Sequence, residues 1–241
     1  MAESRGRLSQ FLDFEETMKL DRTLLKDQAA EVLRDHISSG NIPEGTRLTE
    51  REVSRLLGIS RMPAREALMI VETEGLVANR SDGRHVIELS EEDVRHLHVV
   101  RSTLEKLAVE LAAANVNEEN RAALRARLRD LEEAVASEDP ALCAKRDLAI
   151  HQAIWHQANN SYLLKILQSV VGVMLVLAAR VRFYCRGDSD GLLSQHRELV
   201  DLVASGDGAG AARAIEAHLS EALAHSLRTF RMQDHVDVFH S

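Results

Sequence analysis

The sequence predicts a mainly α protein: an N-terminal winged helix-turn-helix with a small β-hairpin wing, then an all-α antiparallel bundle of about six helices. Three observations predict it. Ala, Leu, Glu and Arg recur throughout while aromatics make up only 3 % of the chain and Pro only 3 residues, a helix-forming composition. Two short amphipathic patterns around Gly58 are followed by two apolar runs flanking Asp82-Gly83. From Ser90 onward the apolar residues keep helical spacing almost without interruption.

Residues 1–21 carry no firm pattern and are read as an N-terminal arm. Leu25, Ala29, Val32, Leu33 and Ile37 repeat at helical spacing, and Ser38-Ser39-Gly40-Asn41 stops that helix. Pro43 and Gly45 make a turn. Thr49 then caps a second helix, with Glu52 completing a capping box, and Gly58 ends it. Ser60 is placed to cap a third helix that carries Pro63 in its first turn and ends near Gly75. Asp82-Gly83 between Leu76-Val77-Ala78 and His85-Val86-Ile87 signals a two-stranded wing, closing a DNA-binding domain over 22–89. Ser90 and the acids after it open the next helix. Helices are expected at about 91–114, 118–137, 140–158, 161–186, 189–205 and 208–230, forming a helical domain over 90–230 with a frayed tail over 231–241.

A chain of 241 residues suits a small domain joined to a larger one. The net charge of -8 excludes a uniformly basic coat, so any nucleic-acid contact has to come from a local patch. Cys143 and Cys185 have no metal-type spacing and are too few for a disulfide framework, which fits a reducing cytoplasm. No signal peptide opens the chain, and Val170 to Ala179 is too short to span a bilayer, so it is expected as a buried core helix and no membrane partner is expected.

Arg47, Arg51, Arg55, Arg61 and Arg65 fall on the outward side of the helix-turn-helix, and the wing adds Arg80 and Arg84. Arg61 and Arg65 occupy the end of the third helix that reaches base edges, where a bidentate Arg–guanine contact gives ~1–3 kcal/mol of discrimination. Ser60 and the amides beside it can hold a phosphate. For an isolated run of charges a solvated face would be the simpler reading. Here turn, helix and Gly-tipped wing come in order, and double-stranded DNA is the expected partner.

Asp147 and His151 stand four residues apart on one helix and share a face. His196 and His218 lie near the middle of two further helices. If those faces converge, three imidazoles and a carboxylate form a ligand set for zinc, nickel or another divalent ion. Among eleven histidines, spacing alone leaves open that these are unrelated polar side chains. A metal hydrolase is a further reading, but the chain has no HExxH element to supply the base. His156 and His225 are read as supporting or surface residues, His96 and His98 as interdomain contacts, and Trp155 as core packing.

The stretch from Pro43 to Val77, PEGTRLTEREVSRLLGISRMPAREALMIVETEGLV, with the glycine-containing wing after it, resembles the winged helix-turn-helix of the GntR family of bacterial transcription regulators. The resemblance implies operator contacts at Arg51, Arg61 and Arg65 and a minor-groove approach at Gly83. Arg101 to Glu105, Asp147-xxx-His151, Asn159 to Leu163, Gln195-His196-Arg197 and Ala217-His218-Leu219 are similar to the landmarks of the FCD domain of the FadR subfamily. That resemblance implies a divalent metal, zinc first and nickel or manganese next, on Asp147, His151, His196 and His218.

The function so implied is that of a homodimeric transcription regulator, expected to be a repressor, reading a pseudo-palindromic operator. A small carboxylate effector would bridge the metal and a second positive group. Arg101 matches the FCD arginine that faces the effector pocket; Arg180 and Arg182, which end the apolar helix, are the other candidates. The same regulator with a purely structural metal is the alternative.

Overall fold

The computed structural model describes residues 25–181 and 189–237. They fall into two compact units: residues up to Glu88 together with Gln168–Ala179, and Leu89–Leu167 together with the residues from Arg180 onward.

In the first unit, helix α1 (Leu25–Ser38) buries Ala29, Ala30, Leu33 and Ile37, and strand β1 (Arg47–Leu48) follows the Pro43–Gly45 turn. Thr49 accepts the Glu52 amide and its hydroxyl donates to the Glu52 carboxylate, so the capping box expected for α2 (Glu50–Leu57) forms. Gly58 ends α2 at φ 63°, in the left-handed region that favours glycine. Helix α3 (Arg61–Thr73) buries Ala64, Ala67, Leu68 and Val71. Ser60 stands at its N-cap, but no side-chain capping bond forms.

The wing differs from expectation in two respects. Strand β3 (Gly83–Val86) pairs with β2 (Val77–Arg80) and also with β1, giving a three-stranded antiparallel sheet in the order β1-β3-β2. Two residues of extended chain carry too little pattern to be read as a strand. The hairpin loop is Ser81-Asp82, and Gly83 opens β3 opposite Arg80, so Asp-Gly is not the central pair of the turn.

The second unit begins with α4 (Glu91–Ala114), opened by a complete Ser90–Asp93 capping box. Next come α5 (Glu118–Ala136), α6 (Pro140–Gln157) and α7 (Ser161–Ser169). Helices α9 (Ser189–Ser205) and α10 (Gly208–Asp237) complete it, with α10 running beyond the expected end at 230. Helix α10 packs along α4, α5 packs on α6 and α9, and α4 also meets α6 and α9. Their shared core contains Val109, Leu124, Leu131, Ile150, Ile154, Leu199, Val203 and Ile215.

The helix expected over 161–186 is broken. Helix α8 (Val171–Val181) is separate from α7 and belongs to the first unit up to Ala179. The cause is a contact distant in sequence: the Gly172 amide donates to the Glu74 carbonyl at 2.9 Å, which draws the start of α8 onto the chain leaving α3. A Cβ on Gly172 would lie 2.0 Å from that carbonyl oxygen and 2.5 Å from the Leu76 nitrogen, so only glycine permits the approach. Ser161–Ala179 is long and apolar enough to cross a bilayer by length and composition. Nor is α8 a fully buried core helix as expected: Gly172, Met174 and Val176 are buried and the residues between them half-buried.

Candidate metal centre and nucleic-acid interface

Asp139 starts α6 by accepting the amides of Ala141 and Leu142, with Pro140 in the first turn. Asp147 and His151 then share one face of this helix, one turn apart. Gly206, at φ 83°, and Asp207, which accepts the Gly210 amide, make the short turn between α9 and α10. His196 lies ten residues before this turn and His218 eleven after it, which puts the two imidazoles at one level of a helical hairpin.

The four side chains expected as ligands do converge. One donor atom from each of Asp147, His151, His196 and His218 lies within 4.8 Å of the other three. The ring centroids are 5.7 Å apart for His151 and His196, 5.2 Å for His151 and His218, and 4.6 Å for His196 and His218. His151 and His196 are fully buried, and His218 is only slightly exposed.

Each imidazole is anchored through Nδ1. His151 Nδ1 meets Glu105 Oε2 at 2.6 Å, His196 Nδ1 the Leu192 carbonyl at 2.9 Å, and His218 Nδ1 the Gln195 Oε1 at 2.8 Å. All three acceptors leave Nε2 as the ring nitrogen available to the shared centre. Among the described residues, the buried Nε2 atoms of His151 and His196 have no hydrogen-bond partner. His196 Nε2 is 2.9 Å from Asp147 Oδ1, an ion-pair distance, without meeting the geometry of a hydrogen bond. Buried polar atoms are rarely left so, and atoms converging on one ion would be.

The electrostatics favour a cation. Burial alone would raise the Asp147 carboxyl, but the imidazoles of His196, His151 and His218 hold it well below the usual carboxylate range. Burial opposes the charged form of His196, and Asp147 outweighs it and raises the imidazole. Burial and the charges of His196 and His151 push His218 down to about 3, so its lone pair is free at neutral pH. Cys143, one turn before Asp147, has its thiol pushed up by burial and by Asp139 and Asp147, so it stays protonated beside the site.

Glu105 and Gln195 are the site residues that the ligand pattern missed. Helical spacing puts Arg101, Glu105 and Ala108 on one face of α4, but nothing in that pattern says that a carboxylate is wholly buried there. Arg101 donates to Glu105 and is mostly buried, and its positive charge reaches His196 and His218. Trp155 is core, as expected, and also donates to Glu105. His156 is exposed and His225 half-buried. His98 bonds the Leu219 backbone within the helical unit. Arg182 and Cys185 lie outside the described residues, as does the side chain of Arg180.

On the other unit, Arg51, Ser60, Arg61 and Arg65 are exposed along the start of α2 and α3. Arg80 and Gly83 face each other across the wing tip, with Arg80 2.8 Å from Glu88. Arg84 departs from the expected outward wing residue: its Nε is 2.7 Å from Glu72 and its Nη1 3.9 Å from Glu50, which draws it back toward α3. Arg47 lies against the wing tip instead, its Nε 3.1 Å from where a Gly83 Cβ would stand. His85 supports that tip from beneath, with its nitrogens 3.1 Å from the Gly45 carbonyl and 3.0 Å from Asp82.

Residues 25–87 match the gntR family of bacterial regulatory proteins, and 96–221 match the FCD domain. A protein of Escherichia coli described as a regulator of an L-lactate dehydrogenase operon is 30 % identical over 216 residues, covering 81 % of this chain and 84 % of its own. A probable D-xylose utilization operon transcriptional repressor of Paenarthrobacter nicotinovorans is 29 % identical over 213 residues, covering 86 % and 92 %. The solved structure of E. coli McbR/YncC shares the fold, with TM-score 0.73 at 20 % identity, over 86 % of this chain and 98 % of its own. These relatives are transcription regulators and not enzymes, which removes the hydrolase reading. The chain belongs to the GntR family of DNA-binding transcription regulators, with an FCD domain as its C-terminal part.

Proposed function

We propose that this regulator is a dimeric repressor whose operator affinity is set by a small organic acid bound at a divalent metal in the helical domain. The observation that carries the proposal is the buried, partnerless Nε2 of His151 and of His196 beside Asp147 and His218. Three imidazoles and one carboxylate are borderline donors that suit zinc first, with nickel or manganese next. Bound there, the ion supplies Lewis-acid positions for carboxylate oxygens. Arg101, with its charge already felt at His196 and His218, is the cation that would take the rest of the anion. One relative is described as controlling an L-lactate dehydrogenase operon, and lactate is an acid of this kind.

Residues 22–89 would read DNA, with Arg51, Arg61 and Arg65 at base edges, Ser60 and Arg80 on phosphates, and Gly83 in the minor groove. Arg84, paired with Glu72, would set the wing against α3 before it touches DNA. Residues 90–230 would hold the effector and the dimer contact. Val99, Val100 and Leu107 leave an exposed apolar strip on α4 that a second copy can cover. A DNA partner fits a cytoplasmic protein.

A purely structural metal is favoured by one observation: Arg101 is already paired with Glu105. Binding of the full chain to DNA from upstream of its own gene, with lactate, malate and citrate added to metal-loaded and chelated protein, separates the two. The sensing role predicts that an acid changes operator affinity only in the loaded protein. If no acid does so, and chelation merely unfolds the domain, the metal is structural.

A further inference from the structure

Glu105 lies on α4 with 1 % of its surface exposed, and its two oxygens serve different groups. Oε1 accepts from Arg101 Nε, while Oε2 accepts from His151 Nδ1 at 2.6 Å and from Trp155 Nε1 at 3.3 Å. The other two imidazoles are held by neutral acceptors, the Leu192 carbonyl and the Gln195 amide oxygen. His151 alone among the three has a charged acceptor on its Nδ1.

We propose that Glu105 is the positioning residue of the metal centre, fixing His151 as its Nδ1–H tautomer, aiming Nε2 at the ion and strengthening it as a ligand. This rests on the metal reading above. A neutral imidazole has one donor and one acceptor nitrogen, and a carboxylate only accepts, so the proton belongs on Nδ1 and the lone pair on Nε2. A carboxylate on the far nitrogen also makes the ligating nitrogen more basic. Arg101 holds the other oxygen, which keeps Oε2 turned toward His151, while Trp155 adds only a longer bond of 3.3 Å to Oε2. An amide cannot replace it: whichever way a glutamine side chain turns, its NH2 faces either Arg101 or His151, both of which donate.

The test is zinc affinity of the full chain, measured by competition with a chromophoric chelator. Glu105→Gln is expected to weaken zinc roughly 10–100-fold, the usual effect of removing such a support. Trp155→Phe, which removes a bond to the same oxygen but leaves His151 supported, is expected to stay close to wild type. In nitrogen-correlated NMR of zinc-loaded wild type, His151 should carry its proton on Nδ1, a readout that holds even if Glu105→Gln folds poorly. Wild-type zinc affinity in a folded Glu105→Gln variant, or a His151 ring protonated on Nε2, would overturn the assignment while leaving the metal site intact. Failure of wild type itself to bind zinc would remove the metal reading, and this inference with it.

Discussion

His196 Nε2 and Asp147 Oδ1 stand 2.9 Å apart without hydrogen-bond geometry between them, in a domain whose core is largely aliphatic. Asp147→Asn keeps the shape and removes the only carboxylate of the tetrad. We expect it to cut metal affinity at least as much as loss of an outer support, roughly 10–100-fold or more, measurable by the same chelator competition. Glu105 gives a prediction in pH. Burial works against its charge, but Arg101 and His151 hold its carboxyl down to about 2 from an ordinary 4.5. A carboxyl lowered in the folded state stabilises above its unfolded value and loses that contribution as pH falls toward the folded one. Glu105 therefore contributes on the order of 3 kcal/mol at neutral pH, lost between about pH 4.5 and 2. Urea unfolding of the metal-free protein across that range should show the loss, and Glu105→Gln should flatten it.

Caps and breaks decide what happens at the scale of elements. Thr49 bonds the first turn of α2 and Ser60 does not bond that of α3, though both are hydroxyl residues at an N-cap. Thr49→Ala should then cost about 1 kcal/mol in denaturant unfolding. Ser60→Ala should stay within about 0.5 kcal/mol and appear only in DNA affinity. Gly172→Ala places a methyl group against the Glu74 carbonyl and should cost about 1–3 kcal/mol by forcing α8 away from the chain after α3. Most helix limits were legible, because Ser90, Asn117, Asp139 and Gly206 carry stop and start chemistry that acts locally. The break at Val170 was not, since its cause is an acceptor at Glu74 almost a hundred residues earlier. The same holds for β1, which exists only because β3 lies beside it. In the site, the i,i+4 pair of Asp147 and His151 could be read directly, while His196 and His218 needed the family pattern. Glu105 was hidden because burial of a carboxylate is a tertiary fact, and Arg84 because its partner Glu72 lies on another element.

For the whole molecule, a net charge of -8 fits DNA binding through a local patch, which the proposed reading puts at the arginines of α2, α3 and the wing. Operator affinity should fall steeply with salt, about one power of concentration for each phosphate neutralised, and Arg65→Ala should weaken binding and reduce discrimination at one base position. Under the proposed reading sedimentation should find a dimer, with the exposed strip of Val99, Val100 and Leu107 as the surface a second copy can cover. The central claim is that Asp147, His151, His196 and His218 hold a metal, and elemental analysis of the full-length protein purified without a histidine tag tests it most directly. About one divalent ion per chain in wild type, lost in a folded His196→Ala variant, is the predicted result. Wild type that holds no metal after supplementation with zinc, nickel or manganese, or His196→Ala that keeps a full complement, would contradict it.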